Sequence, residues 1–198
     1  MNFFDSKKLD SKKNKFLKIY GEKEDFNQYW FSENTIEFIV NQIEKYGKKV
    51  AFVSTPSVFF SVNETIQKNS ILFDYDEIFT KKSKNAVKFD YREFDHITNY
   101  DNSFDFILVD PPFINEEAWT KYSNFIKKIA KKREDDYTVL DCKILTCSIA
   151  ENQEILFSLL NLKLRTFQPS IPHLVYQYNF YTNYEDDEFN KKNEEIIE

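Results

Sequence analysis

The run Phe104-Asp105-Phe106-Ile107-Leu108-Val109, followed at once by Asp110-Pro111-Pro112, restricts the fold more than any other stretch of the 198 residues. Apolar at all but one position, it has the pattern of a strand buried on both faces. Proline donates no ladder hydrogen bond, so the strand stops there and leaves Asp110 at its carboxyl end. Such a strand needs neighbours on both sides and cover above and below, so the segments around it decide the architecture.

Those segments alternate. Ser32 is an N-cap candidate, Ile36, Ile39, Val40 and Ile43 recur at helical spacing, and Gly47 supplies a stop, which predicts a helix from Glu33 to Tyr46. Val50-Ala51-Phe52-Val53 then reads as a buried strand running into Ser54-Thr55-Pro56-Ser57. Val58 to Lys68 carries helical periodicity, and Ile71-Leu72-Phe73 and Ala86-Val87-Lys88-Phe89 read as strands ending in Asp74-Tyr75-Asp76 and Asp90-Tyr91. Beyond the proline pair come a helix from Glu116 to Lys132, a strand within Tyr137 to Cys147 and a helix from Glu151 to Leu160. Leu164 to Phe167 and Tyr176 to Tyr184, separated by Pro169 and Pro172, suggest a terminal antiparallel pair. The alternation predicts an α/β chain with a doubly wound, mostly parallel sheet and an antiparallel C-terminal strand. No repeat or linker divides it: residues 26–184 form one domain between a polar N-terminal segment, 1–25, and an acidic tail, 185–198, both expected to be flexible.

Several function classes are disfavoured. With 33 acidic against 27 basic residues, the net charge of -6 argues against a broad basic field for nucleic acid and suits a basic protein substrate better. Cys142 and Cys147 lack the partners of a zinc pattern, so no metal is expected and both read as buried thiols. No apolar run approaches membrane-spanning length, and the opening residues lack a signal-peptide core, which predicts a cytoplasmic protein. With only 2 glycines there is no G-x-G loop after the first strand, which weighs against a nicotinamide dinucleotide site.

In an open parallel sheet, ligands gather at the carboxyl ends of the strands. Four polar clusters fall there, at Ser54-Thr55-Pro56-Ser57, Asp74-Tyr75-Asp76, Asp90-Tyr91 and Asp110-Pro111-Pro112-Phe113. Asp74 or Asp76 can accept both hydroxyls of a ribose, and a carboxylate after the third strand can reach an adenine amino group. In the last cluster two prolines stiffen the loop, while the Asp side chain and a backbone carbonyl both accept from an amino group. That arrangement aims the nitrogen lone pair outward, toward an electrophilic methyl, and Phe113 walls the acceptor. Pre-orientation of this kind contributes up to about 7–11 kcal/mol.

Taken in order, Gln28-Tyr29-Trp30-Phe31-Ser32-Glu33-Asn34-Thr35, Val53-Ser54-Thr55-Pro56-Ser57-Val58, Phe89-Asp90-Tyr91 and Asp110-Pro111-Pro112-Phe113 resemble the elongation factor 1-alpha lysine methyltransferase family, first labelled probable N6-adenine methyltransferases. The resemblance covers about residues 26 to 184. It implies a Rossmann-like, seven-stranded class I methyltransferase fold, S-adenosyl-L-methionine as cofactor, and a lysine of translation elongation factor 1-alpha as acceptor. It places transfer at Asp110, Pro111, Pro112 and Phe113 and closes Trp30, Phe31 and Ser32 over the cofactor. Ser54, Thr55, Pro56, Asp74, Asp76, Asp90 and Tyr91 complete the expected cofactor contacts. Two alternatives stay open. One is N6-adenine methylation of RNA or DNA, with Phe113 stacking on a flipped base; the other is a catalytically silent scaffold of the same fold.

Overall fold

A computed structural model of the chain describes residues 14–196. The seven strands are β1 (Val50–Val53), β2 (Ile71–Asp74), β3 (Ala86–Lys88), β4 (Phe106–Val109), β5 (Lys143–Ser148), β6 (Lys163–Leu164) and β7 (Asn179–Thr182), in the spatial order β3-β2-β1-β4-β5-β7-β6. β3, β2, β1, β4 and β5 are parallel neighbours, and β7 lies antiparallel between β5 and β6. The order runs outward from β1 to β3 on one side and from β4 on the other. The switch point between β1 and β4 is where such sheets open a crevice.

The pleat explains why these segments are strands. Val50, Phe52, Phe106 and Leu108 pack into one core layer, while Ala51, Val53, Ile107 and Val109 pack into the other. All eight are at most 1% exposed, so β1 and β4 are apolar throughout because neither face meets water. Among the described residues the seven α-helices are α1 (Lys15–Ile19), α2 (Glu33–Tyr46), α3 (Pro56–Phe59), α4 (Glu64–Asn69), α5 (Glu77–Thr80), α6 (Glu116–Ile129) and α7 (Gln153–Leu160). α2 covers the first layer with Ile36, Ile39 and Ile43, and α6 the second with Trp119, Phe125, Ile126 and Ile129. Each such side chain contributes about 1.5–3 kcal/mol by burial. Among the described residues no helix is long and apolar enough to cross a membrane.

The helix expected over Val58 to Lys68 is two helices. Ser61 Oγ donates to Ser57 O at 2.6 Å, and Asn63 Oδ1 accepts from Ile66 N at 3.0 Å, starting α4 afresh. The strand expected within Tyr137 to Cys147 begins only at Lys143, because Asp136 holds a turn through the amide and hydroxyl of Thr138. The short α5, capped by Asp76, was hidden between two strands. Gly47 does end α2, but in extended backbone at φ -93°. A Cβ there would stand 2.7 Å from Val50 Cγ2, so glycine is required for close packing.

Residues 1–13 and 197–198 of the two segments expected to be flexible lie outside the described residues, and the described remainder of each places an aromatic in the core. Phe16 is 3% exposed with its ring 5.1 Å from that of Trp30, and Phe189 is fully buried beside Phe38 and Phe180. Asp186 accepts from Lys45 Nζ at 2.6 Å and Tyr46 OH at 2.5 Å. Although burial opposes it, these donors hold the Asp186 carboxyl well below the usual carboxylate range. Polar composition masked a few well-placed aromatics.

Candidate functional site

At the switch point the carboxyl ends of β1 to β4 open into a cavity of about 320 Å³. Residues 25–30 form one wall, and Ile171, Leu174 and Tyr178 from the β6–β7 connection form another. The volume is of ligand size.

β1 leaves the sheet through Ser54, whose φ of 58° lies in the left-handed region. That turn is the backbone conformation a glycine usually supplies. Ser54 holds it with its amide on Phe73 O at 2.8 Å and its hydroxyl 3.0 Å from Tyr122 OH. Asp74, ending β2, is 5% exposed and accepts from the Asp76 amide at 2.7 Å. Burial, with the nearby Asp76 charge, pushes its carboxyl up to about 7 against that hydrogen bond. Asp76 faces its own helix and the N-terminal segment instead, capping Ile78 N at 3.0 Å and pairing with Lys23 Nζ at 2.5 Å. Asp90 lies in a two-pronged pair with Arg92, at 2.9 and 2.6 Å, which holds its carboxyl low. Tyr91 stacks on Tyr122 with ring centroids 5.2 Å apart.

Asp110 is anchored through its amide to Val53 O at 3.1 Å, and its side chain is half-buried against the cavity. Its Oδ1 accepts from the Cys147 thiol at 3.3 Å. Burial pushes the carboxyl up to about 7, while the thiol hydrogen bond pulls the other way. Among the described residues no Lys, Arg or His pairs with it. Pro111 and Pro112 line the cavity, and Phe113, 47% exposed, stands with its ring 6.3 Å from that of Tyr91. The Pro112 carbonyl accepts from the Asn27 side-chain amide, which ties the N-terminal wall to the proline loop.

Eleven of the fourteen residues expected at the site therefore border one cavity: Trp30, Ser54, Pro56, Asp74, Asp76, Asp90, Tyr91 and Asp110 to Phe113. Phe31, Ser32 and Thr55 do not. Phe31 is buried toward Phe180, and Ser32 caps α2 by accepting from Thr35 N at 3.1 Å. Thr55 is 2% exposed, the N-terminal neighbour of α3. Phe31 and Thr55 each adjoin a cavity-lining residue, but successive side chains in extended backbone point to opposite sides. Missed were Asp25, Phe26, Asn27, Arg92, Tyr122 and Tyr178, all cavity-lining. Only Asn27 carried a signal: its φ of 49° is a conformation that asparagine adopts more readily than most residues. Both cysteines are free and buried, as expected.

A family model described as probable N6-adenine methyltransferase matches residues 22–186. EEF1A lysine methyltransferase 1 of Homo sapiens is 29% identical over 175 residues, covering 84% of this chain and 77% of its own. Protein-lysine N-methyltransferase EFM5 of Saccharomyces cerevisiae is 25% identical over 190 residues, covering 88% and 77%. Among solved structures, a candidate RNA methyltransferase from Pyrococcus horikoshii superimposes with a TM-score of 0.51 at 12% identity, over 82% of this chain and 87% of that one. That last likeness concerns the fold alone.

Proposed function

We propose, because this chain belongs to the family described as probable N6-adenine methyltransferase, that it is an S-adenosyl-L-methionine-dependent protein-lysine N-methyltransferase acting on translation elongation factor 1-alpha in the cytoplasm. It has the Rossmann-like fold of the class I methyltransferases. The family description names adenine and its relatives' names give lysine, so the site itself must weigh the two acceptors. Asp110 carries the choice. It is a carboxylate at the mouth of a cavity also lined by Asp25, Asp74, Asp76 and Asp90, whose one lining base among the described residues, Arg92, is already paired to Asp90. An acidic well without a free cation attracts an ammonium and offers nothing to a polyphosphate chain.

The residues present fit the cofactor. Gln28 Oε1 is buried on the cavity wall without a hydrogen-bond partner, which calls for a donor from a ligand. Asp74 would take the ribose hydroxyls, since Asp76 is engaged by Lys23, and the segment around Asp90 and Tyr91 would take the adenine. Bound there, S-adenosyl-L-methionine supplies an electrophilic methyl group on a sulfonium.

Asp110 does two jobs in this reading. Its carboxylate draws the lysine ammonium into the well, and, together with a carbonyl of the proline loop, it accepts the amine N–H groups so that the lone pair faces the methyl. Phe113 and Tyr178 exclude water around the amine. Desolvation there favours the neutral amine, so the lysine gives its ammonium proton to bulk water on entry and no dedicated base is assigned.

The test incubates the protein and Asp110→Ala with methyl-labelled S-adenosyl-L-methionine and purified elongation factor 1-alpha, then with cell extract split between protease and nuclease. Label on the factor that protease destroys, and that Asp110→Ala loses, is the expected result. Label removed only by nuclease would transfer the assignment to adenine.

A further inference from the structure

We propose that Cys147 is a positioning residue for methyl transfer: its thiol holds one carboxylate oxygen of Asp110 and leaves the other turned to the acceptor amine. The inference rests on the role given to Asp110 above. β5 runs parallel to β4 with Thr146 beside Val109, and two successive β5 side chains hook the end of β4. Thr146 Oγ donates to Val109 O at 2.6 Å, and Cys147 Sγ donates to Asp110 Oδ1 at 3.3 Å. Pro111 restricts the backbone after Asp110, but it leaves the two side-chain torsions of Asp110 free. The thiol is the donor that removes this freedom. Among the described residues no other hydrogen bond reaches the Asp110 carboxylate.

The titratable groups facing Asp110 are Cys147 from β5, Tyr122 from α6 and Tyr178 from the β6–β7 connection, with Tyr29 beside Tyr178. Burial pushes the Cys147 thiol well above its ordinary range and the Tyr122 and Tyr178 phenols up as well, so these three are neutral. Tyr122 OH is already engaged with Ser54. A weak neutral donor suits the task, because it orients the carboxylate without replacing the cation that the acceptor brings. Cys147 is 1% exposed, and a filler there could as well be valine. The thiol proton is what separates the two roles.

The experiment uses the full chain labelled with carboxyl-¹³C aspartate, as wild type, Cys147→Ala, Cys147→Val and Cys147→Ser, with the Asp110 resonance identified by its loss in Asp110→Asn. Melting curves establish that each variant is folded. Loss of the donor in Cys147→Ala and Cys147→Val is expected to raise the Asp110 midpoint by about half a pH unit, and Cys147→Ser to return it toward wild type. In labelled transfer to elongation factor 1-alpha, kcat falls about tenfold in the first two and recovers in the serine variant, with the KM for S-adenosyl-L-methionine unchanged. A folded Cys147→Val with the wild-type midpoint and kcat overturns the proposal. A wild type that transfers nothing to lysine overturns the reading of Asp110 instead, while the carboxyl midpoints, measured without any acceptor, still decide whether the thiol holds it.

Discussion

Asp110 and Asp74 make the site sensitive to pH near neutrality. Both carboxyls are pushed up to about 7, chiefly by burial, so each keeps its proton well above the usual carboxylate range. The Asp110 carboxylate that accepts an amine forms as pH rises through about 7, and kcat/KM for the acceptor should rise with it. Asp110→Asn should lower transfer by about a hundredfold and leave cofactor affinity unchanged, as isothermal titration would show. Stability has the opposite sign. A carboxyl whose folded pKa is raised stabilises the fold most below its unfolded pKa, and that contribution is lost as pH climbs through the folded value. The ligand-free protein should therefore melt at a lower temperature at pH 8 than at pH 5, and Asp74→Asn should flatten the difference. Asp186, whose carboxyl is held low, titrates below this window. The sequence made Asp110 legible because proline ends a strand wherever it falls. It could not reveal Tyr122 or Tyr178, whose places in the wall depend on α6 and β7 packing against distant strands.

At the scale of elements, α2 was readable to its last residue because cap, periodicity and stop all lie within it. The same cap bears on one expected cofactor contact. Ser32, which follows Phe31, is expected at the cofactor, and its hydroxyl serves Thr35 N. Ser32→Ala should cost about 1 kcal/mol in denaturant unfolding and leave the affinity for S-adenosyl-L-methionine unchanged, whereas a cofactor contact would show the reverse. Gly47→Ala tests the other end of α2. The added methyl meets Val50 Cγ2, with Phe106 Cβ also close at 3.2 Å, so destabilisation of about 1–3 kcal/mol is expected, and a neutral result would mean that the α2–β1 turn yields easily. The break between α3 and α4 was harder to foresee, since Asn63 competes with the helix through one side-chain hydrogen bond that periodicity does not register.

For the molecule as a whole, the described residues on either side of 26–184 contribute aromatics to the core. The N-terminal segment reaches the cavity through Lys23 on Asp76, next to Asn27 on Pro112, and the C-terminal segment closes the first core layer with Phe189. Phe189→Ala should cost about 3–5 kcal/mol in urea unfolding; a loss near zero would show that the segment after β7 is dispensable. Among the described residues β7 is the last strand in sequence yet lies inside the sheet, and β6 pairs with nothing else. Until residues 179–182 leave the ribosome, β5 is therefore a bare edge and Tyr178 has no strand to place it. A nascent chain can build the half of the cavity assigned to the nucleoside early, but it becomes competent for transfer only once β7 has emerged and paired with β5. A ribosome stalled before that point would display a sticky, inactive intermediate of the kind chaperones recognise.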